Sequence, residues 1–307
     1  MKLDNLIIAG GGPAGLTAAI YACRARIPTL MVEMVSPGGQ VLITDRVDNY
    51  PGFPDGIAGY ELIDKMLAQA KRFGLEQRNG EIISVQPPED SNGNVRVGLA
   101  GGEVLEAGSL IIATGASHNH LGVPGEEDLA GRGVSYCATC DGPFFNDATV
   151  AVVGGGDTAV QEAIFLTKFA KKVILIHRRD ELRAIKLLQE QAMENPKIEF
   201  VWDTVVESIN GTDKVESLSV LNRKSGERRL LPVDGVFIFV GIHPNTSFLK
   251  DTVEMDQWGF IITDEEMKTS APSVWAAGDC RRKPLLQIVT AVADGAIAAH
   301  SVELSKG

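Results

Sequence analysis

The chain is predicted to be an α/β protein made of two similar three-layer units, and two repeated features carry that prediction. Gly-rich turns at residues 10–15 and 154–159 each follow a short apolar run and precede a stretch that suits a helix. Each unit also has a segment of short β-type runs separated by turn-forming dipeptides. Strand, tight turn, helix and strand in this order indicate a βαβ unit with a parallel sheet.

The first unit begins with the apolar strand Leu6 to Ala9, which leads directly into the first Gly-rich turn. A helix is predicted from about Leu16 to Arg26, and the strand Thr29 to Glu33 follows. A strand and a helix that flank a glycine pattern make that pattern a credible nucleotide turn.

The second unit repeats the order with a strand at Thr149 to Val153, a helix at about Ala159 to Phe169 and a strand at Val173 to His177. Both units are therefore predicted to be Rossmann-like dinucleotide-binding domains.

Each unit is also predicted to carry a β-meander, because Asn-Gly, Gly-Gly and Ser-Gly pairs separate short apolar runs. In the first unit the runs are 82–85, 95–97 and 104–105, with a turn at Asn92-Gly93. In the second they are 215–221, 228–231 and 236–240. Buried-type runs followed by glycine, at 110–115 and 236–241, close the two segments.

Length and composition restrict the class of protein. The 307 residues suffice for two ordinary domains, and a net charge of −11 argues against a nucleic-acid-binding surface. No run of about 18 uncharged apolar residues predicts a membrane span. The N-terminal apolar run is too short for a signal peptide, and four cysteines do not make a disulfide scaffold. We therefore expect a cytoplasmic protein.

The first Gly-rich turn fits the G-x-G-x-x-G pattern with Gly10, Gly12 and Gly15. These glycines allow a tight turn, close approach of a pyrophosphate and close packing of helix on strand. Glu33 ends the next strand, where a carboxylate accepts hydrogen bonds from an adenosine ribose and repels a 2′-phosphate. The site suits FAD or NAD(H); the alternative is a glycine turn without a ligand.

The second turn, with Gly154, Gly156 and Ala159, differs at the end of its second strand. In place of an acid, that strand is followed by the basic set His177, Arg178, Arg179 and Arg183. Arginine binds phosphate bidentately, so this set favours NADP(H) over NAD(H). The alternative is a solvated basic start to a helix predicted over 181–194.

Cys137 and Cys140 form a Cys-x-x-Cys pair that can carry two electrons as dithiol and disulfide. Asp141 follows directly and could exchange protons with a thiolate, or could simply be an acidic residue of a helix N-terminus. A zinc site would need four ligands, and Cys23 and Cys280 are single and distant in sequence, so no metal site is predicted. A buried, inert cysteine pair is the other alternative.

Two further histidines, His118 and His120, alternate in a loop. Without additional ligands they are interpreted as surface residues rather than a metal site. Cys23 is predicted to lie in the core of the first helix.

Taken in order, these motifs resemble the low-molecular-weight thioredoxin reductases, which belong to the pyridine nucleotide-disulfide oxidoreductases. The resemblance spans nearly the whole chain. It is carried by Gly10 to Gly15, Ala113-Thr114-Gly115, Cys137-Ala138-Thr139-Cys140-Asp141-Gly142, Gly154 to Ala159, His177-Arg178-Arg179 and Ala277-Gly278-Asp279. Many members carry Arg where this chain has Leu286, immediately before Gln287.

The resemblance implies a discontinuous FAD domain, residues 1–118 with 246–307, and an inserted NADPH domain, 119–245, that carries the cysteine pair. Further implied contacts to FAD are Gly10, Gly12, Pro13, Ala14, Gly15, Glu33, Gly38, Gly39, Gln40, Asn49, Thr114, Gly115, Gly278, Asp279 and Gln287. Implied contacts to NADPH are Gly154, Gly156, Asp157, Thr158, His177, Arg178, Arg179 and Arg183.

The resemblance also implies roles for the redox residues. Cys140 would lie nearest the flavin, Cys137 would attack the disulfide of thioredoxin, and Asp141 would act as acid–base. Electrons would pass from NADPH through FAD and the Cys137–Cys140 disulfide to thioredoxin. In the family the NADPH domain rotates, and segments near 117–121 and 243–247 are compatible with a hinge. A homodimer is implied as well.

Two alternatives to this function are kept. One is a related flavin disulfide reductase or dithiol oxidase with another thioredoxin-like or small-molecule acceptor. The other is a nucleotide-binding redox sensor without turnover.

Overall fold

The computed structural model describes residues 5–44, 46–90 and 93–305. The chain forms two compact units: one extends to Ser117 and resumes at His243, and the other runs from His118 to Ile242.

The described residues form eighteen strands and six α-helices; sixteen of the strands build the parallel sheets and meanders, and the other two form a separate two-stranded sheet. The strands are β1 (Leu6–Ala9), β2 (Thr29–Glu33), β3 (Glu76–Asn79), β4 (Ile82–Gln86), β5 (Val95–Leu99), β6 (Val104–Ala107), β7 (Leu110–Ile112), β8 (Ala116–His118), β9 (Val134–Ser135), β10 (Thr149–Gly154), β11 (Lys172–Ile176), β12 (Ile198–Val201), β13 (Thr204–Asn210), β14 (Ser217–Asn222), β15 (Arg228–Pro232), β16 (Gly235–Phe239), β17 (Ile242–Pro244) and β18 (Val274–Ala276). The helices are α1 (Pro13–Arg24), α2 (Gly59–Arg72), α3 (Ala138–Asp141), α4 (Asp157–Leu166), α5 (Lys186–Met193) and α6 (Ile288–Leu304).

In the discontinuous unit, a five-stranded parallel sheet has the order β18-β7-β1-β2-β3. Side chains of β1 alternate between two cores, because successive residues of a strand point to opposite faces. Leu6 and Ile8 pack with α1, α2 and α6, whereas Ile7 and Ala9 pack with the meander β4-β5-β6. Helices, parallel sheet and meander therefore form three layers.

The inserted unit repeats this architecture with a parallel sheet of order β12-β11-β10-β16-β9. Val150 and Val152 of β10 pack with α4 and α5, and Ala151 and Val153 pack with the meander β13-β14-β15. Two apolar faces on one strand explain why β10 is a continuous apolar run rather than an alternating one.

The predicted fold class, two three-layer Rossmann-like α/β units each with a meander, is confirmed. Helix α1 begins at Pro13 rather than Leu16, because Pro13 occupies its first turn, where no backbone donor is needed. The turn predicted at Asn92-Gly93 includes Asn92, which lies outside the described residues.

Two sequence predictions in the inserted unit are wrong. The run 236–240 is not part of the meander: it forms β16, which pairs in parallel with β10. The first meander strand is instead β13, whose pairing with β14 shifts register between Val206 and Ser208. The helix predicted over 181–194 is shorter in the structure. It corresponds to α5, which begins at Lys186, and the residues before Lys186 form a loop.

Among the helices of the described ranges, none combines the length and apolar character that crossing a membrane requires.

Candidate functional site

The first Gly-rich turn has the geometry of a pyrophosphate cradle. Gly10 has a φ of +104°, and a Cβ there would press on the Ala113 carbonyl; a Cβ at Gly15 would overlap the Gly10 carbonyl oxygen. Gly12 differs, because a Cβ at this position would meet no atom within 4 Å. No side chain caps α1. Open space at an uncapped helix N-terminus suits a ligand phosphate.

Glu33 lies at the end of β2 and is fixed by the turn itself. Its Oε2 accepts a hydrogen bond from the Gly11 amide at 2.7 Å, and its Oε1 accepts one from the Val35 amide at 3.2 Å. An ionised carboxylate can accept about four hydrogen bonds, so it retains capacity for two ribose hydroxyls. The Gly38 amide donates to the Gly11 carbonyl at 2.8 Å, which joins the 38–40 segment to the same turn.

Other residues implied by the resemblance lie in the same unit and form mutual contacts. Gln40 donates to the Ala116 carbonyl at 3.2 Å, and Asn49 donates to Gln287 Oε1 at 3.0 Å. Thr114 donates through its hydroxyl to the Asn245 carbonyl at 2.8 Å. Gly39 and Gly115 take left-handed backbone angles, with φ of +55° and +68°.

Asp279 belongs to a short 3-10 helix that follows β18. Its Oδ1 is buried and has no hydrogen-bond partner among the described residues, although the Lys283 ammonium lies 3.4 Å away as an ion pair. Burial raises the pKa of Asp279, the Lys283 charge opposes the rise, and the Asp294 charge adds to it. A buried carboxylate oxygen that has an ammonium 3.4 Å away but no close hydrogen bond retains capacity for a ligand hydroxyl.

The second Gly-rich turn shares the open position of the first. A Cβ at Gly154 would overlap the Phe239 carbonyl and Ala159, whereas a Cβ at Gly156 would meet nothing within 4 Å. Helix α4 begins at Asp157 without a side-chain cap. The backbone can therefore approach a phosphate here as well.

Two hydrogen bonds, one to a backbone carbonyl and one to a side chain, hold residues 177–185 against this turn. The Arg183 amide donates to the Gly155 carbonyl at 2.7 Å, and Asp157 Oδ1 accepts from the Ile185 amide at 2.7 Å. Asp157 thus fastens the basic loop to the turn. Thr158 is exposed beside it on the first turn of α4.

The guanidinium groups of Arg178, Arg179 and Arg183 are exposed. Within the described part of the chain, none of the three forms an ion pair. They lie in the loop that precedes α5 rather than within a helix. Three unneutralised cations at one strand end attract an anionic group.

His177 packs against Gly155, where a Cβ would overlap the imidazole ring, and is 4% exposed. Burial lowers its pKa, a hydrogen bond to the Gly154 backbone opposes the shift, and the charges of the nearby arginines lower it further. The imidazole is therefore neutral near pH 7. Its Nε2 has no hydrogen-bond partner among the described residues, a second buried polar atom that suits a ligand.

Cys137 and Cys140 are joined as a disulfide with their Cα atoms 5.3 Å apart. Cys137 is the N-cap of α3, so the Cys140 amide donates to its sulfur at 3.2 Å. The Thr139 hydroxyl lies 3.3 Å from the same sulfur. Donors at a helix start stabilise a thiolate, which favours Cys137 as the nucleophile once the disulfide is reduced.

Asp141 ends α3 and is hydrogen-bonded to a residue that the sequence analysis did not identify. The Ser135 hydroxyl, 4% exposed, donates to Asp141 Oδ2 at 2.6 Å and accepts from the Cys137 amide at 3.1 Å. Ser135 therefore links the carboxylate to the backbone of the redox pair. The only indication of this role in the sequence is that Ser135 lies two residues before Cys137.

Glu126 is a second residue that the sequence analysis missed. It is 2% exposed and accepts hydrogen bonds from the Leu121 and Gly122 amides and from the Tyr136 hydroxyl, at 3.0, 2.8 and 2.7 Å. His120 lies within 3.3 Å of the same carboxylate. Tyr136 directly precedes Cys137. This cluster therefore fixes the entry to the redox segment, which is the chain from Cys137 to Asp141.

The remaining cysteines are not part of this site. Cys23 and Cys280 are free and buried, and burial raises the pKa of both thiols, that of Cys280 to about 11. In the described ranges no three His, Cys, Asp or Glu side chains are grouped as a metal ion would require.

Comparison with known proteins agrees with these features. The family model described as pyridine nucleotide-disulphide oxidoreductase matches residues 4–295. A thioredoxin reductase of Listeria innocua is 48% identical over 303 residues, covering 98% of this chain and 93% of the relative. One of Peptoclostridium acidaminophilum is 47% identical over 305 residues, covering 97% and 96%.

Among solved structures, a crystal structure of thioredoxin reductase from Streptococcus pyogenes superposes with a TM-score of 0.95 at 47% identity. The superposition covers 99% of this chain and 98% of the chain in that structure. With both nucleotide turns and the Cys-x-x-Cys disulfide in place, the chain belongs to the pyridine nucleotide-disulphide oxidoreductases, and among them to the thioredoxin reductase family.

Proposed function

We propose that this protein is an NADPH-dependent flavoprotein that reduces the disulfide of thioredoxin or a thioredoxin-like protein. One observation carries the proposal: the Cys137–Cys140 disulfide lies in the same unit as the second nucleotide turn and its basic loop. The names of the relatives supply thioredoxin as the acceptor.

We assign FAD to the discontinuous unit, within predicted boundaries of 1–118 and 246–307. The open backbone at Gly12 would hold the pyrophosphate, Glu33 the adenosine ribose, and Asp279 a hydroxyl of the chain that leads to the flavin. Bound FAD supplies two-electron transfer between NADPH and the disulfide. The proposal is supported by the open cradle and by the buried Asp279 oxygen, which has no close hydrogen bond and an ion pair to Lys283 at 3.4 Å.

We assign NADPH to the inserted unit, predicted as residues 119–245. Gly156 and the start of α4 would hold the pyrophosphate, and the exposed guanidinium groups of Arg178, Arg179 and Arg183 would hold the 2′-phosphate. Neutral His177 contributes a buried ring nitrogen without adding to the charge.

The dithiol step follows from the geometry at α3. The Cys137 thiolate attacks one sulfur of the partner disulfide, and the other partner sulfur leaves with the electron pair. Cys140 then attacks Cys137, which restores the Cys137–Cys140 disulfide and releases the second partner thiolate. Asp141 is placed to donate and accept the protons that these sulfurs exchange. Two electrons and two protons end on the partner.

The decisive experiment is an anaerobic titration of the purified holoprotein. NADPH should bleach the flavin absorption, and oxidised thioredoxin should restore it with one equivalent per two electrons. Cys140→Ser should still bleach with NADPH but lose turnover with thioredoxin, whereas Cys23→Ala should keep it. Wild-type turnover in Cys140→Ser would refute the dithiol assignment. Reoxidation by small disulfides but not by thioredoxin would refute the acceptor.

Nucleotide preference is tested separately at the basic loop. Arg178→Ala with Arg179→Ala should raise KM for NADPH by about a hundredfold or more and leave KM for NADH nearly unchanged, since each of the two lost charge-assisted contacts is worth about 1.5–3 kcal/mol. Arg229→Ala, an exposed arginine in the same unit, serves as the control. An unchanged preference in the double variant would remove the electrostatic argument.

Two further proposals are a homodimer, which the family resemblance implies, and a cytoplasmic location, which the composition predicts. Light scattering of the purified holoprotein at micromolar concentration tests the dimer. A monomer mass at all concentrations would contradict it.

A further inference from the structure

A buried charge cluster lies directly behind Asp279. Its centre is Asp294 of α6, which is 7% exposed. Asp294 Oδ2 accepts from the Gly278 amide and from the Lys283 ammonium, both at 3.0 Å, and its Oδ1 accepts from the Arg281 guanidinium at 3.2 Å. The structure therefore satisfies this carboxylate from three sides.

Lys283 is the unusual member of the cluster. Its side chain is only 4% exposed, and lysine is almost never buried to this extent unless it is paired. The ammonium bridges two carboxylates, Asp294 at 3.0 Å and Asp279 Oδ1 at 3.4 Å. Two cations and two anions balance the cluster, so removal of one member leaves a buried charge uncompensated.

The backbone around the cluster is fixed as tightly as its side chains. Gly278 has a φ of +79°, and a Cβ there would lie 2.8 Å from the Ala14 Cβ on the first turn of α1. A Cβ at Gly295, next to Asp294, would overlap the Ala14 carbonyl. The cluster therefore holds the Asp279 segment against the helix that begins at the first Gly-rich turn.

We propose that Lys283, held by Asp294, is a positioning residue for the flavin dinucleotide: it keeps Asp279 ionised and oriented so that Oδ1 can accept a hydrogen bond from a hydroxyl of the ligand. The inference rests on the assignment of FAD to this unit. Without the Lys283 charge, Asp279 faces burial and the negative charge of Asp294 alone. A carboxyl that takes up a proton there loses its charge-assisted acceptor role.

The test is FAD affinity of the deflavinated full-length protein, measured by quenching of flavin fluorescence. Lys283→Met keeps the apolar stem but removes the charge, and should weaken FAD binding about tenfold to a hundredfold. Lys283→Arg should restore most of the affinity. Lys268→Met, an exposed lysine of the same unit, should bind like the wild type.

A second variant covers the case in which Lys283→Met does not fold. Lys283→Met with Asp294→Asn removes one charge of each sign, so the cluster stays balanced while Asp279 still lacks its cation. Weak FAD binding by this folded double variant supports the proposal. Wild-type affinity in either variant overturns it. Failure of the wild-type protein itself to bind FAD would instead overturn the assignment of FAD to the unit.

Discussion

Glu126 is predicted to be the residue that stabilises the entry to the redox segment, and Glu126→Gln tests this with minimal change in shape. Oε1 serves the Leu121 amide and the Tyr136 hydroxyl, and Oε2 serves the Gly122 amide. Glutamine has one oxygen, so its amino group must face at least one of these donors. One charge-assisted hydrogen bond, worth about 1.5–3 kcal/mol, is lost and a buried donor is left without an acceptor.

The expected cost is about 3 kcal/mol, which is roughly a hundredfold change in the local opening equilibrium at 1.4 kcal/mol per factor of ten. Hydrogen–deuterium exchange of peptides spanning 119–137 measures this opening directly. Glu127→Gln, an exposed neighbour with the same chemical change, is the matched control. Equal exchange in Glu126→Gln and Glu127→Gln at pH 7 would refute the reasoning.

The effect of Glu126→Gln on hydrogen exchange should also depend on pH. Burial raises the pKa of Glu126, but hydrogen bonds from Tyr136 and the Leu121 and Gly122 amides outweigh it, and the net pKa is lowered from 4.5. A carboxyl with a lowered folded-state pKa contributes stability above its unfolded pKa and loses it as the pH falls through the folded value. The difference in exchange between wild type and Glu126→Gln should be constant above about pH 5.5 and shrink below 4.5.

Three further predictions concern the cofactor turns and the proton donor. Gly12→Ala should weaken FAD binding at least about tenfold, because the added Cβ enters open space that the ligand would fill. The unfolding midpoint of the apoprotein should not change. Gly15→Ala, whose Cβ overlaps the Gly10 carbonyl, should instead lower that midpoint. Gly156→Ala should likewise spare the fold and raise KM for NADPH, a result that a lowered midpoint would contradict. Ser135→Ala should lower kcat with thioredoxin about tenfold with little change in KM, and Ser135→Thr should recover kcat. In an Asp141→Asn background the alanine change should lower kcat no further. If the two losses in kcat multiply instead, Ser135 does not act by positioning Asp141.

The order of the local motifs was enough to predict the fold class. Each βαβ unit is specified locally: an apolar run buried on both faces, a glycine turn and a helix follow one another in sequence, as in β1 and α1. Helix ends and strand partners were predicted less well. The partner of β16 is β10, more than 80 residues earlier, and no local pattern distinguishes that parallel pairing from a meander.

The candidate site divides in the same way. Motif order and spacing were enough to predict the residues whose chemistry is local, because each has a known position on a strand or helix. These are the two glycine turns, Glu33, the basic loop after His177, and Cys137 with Cys140.

The groups that support these residues could be identified only once the folded chain had brought distant segments together. Lys283 and Asp294 lie on different elements, and Ser135 and Glu126 acquire their roles from burial and from hydrogen bonds to other segments. The sequence analysis named Asp279, but its ion pair with Lys283 was not predicted. A buried charge is stable only when its partners arrive together from several segments, and pairing of that kind leaves no periodic trace in the chain.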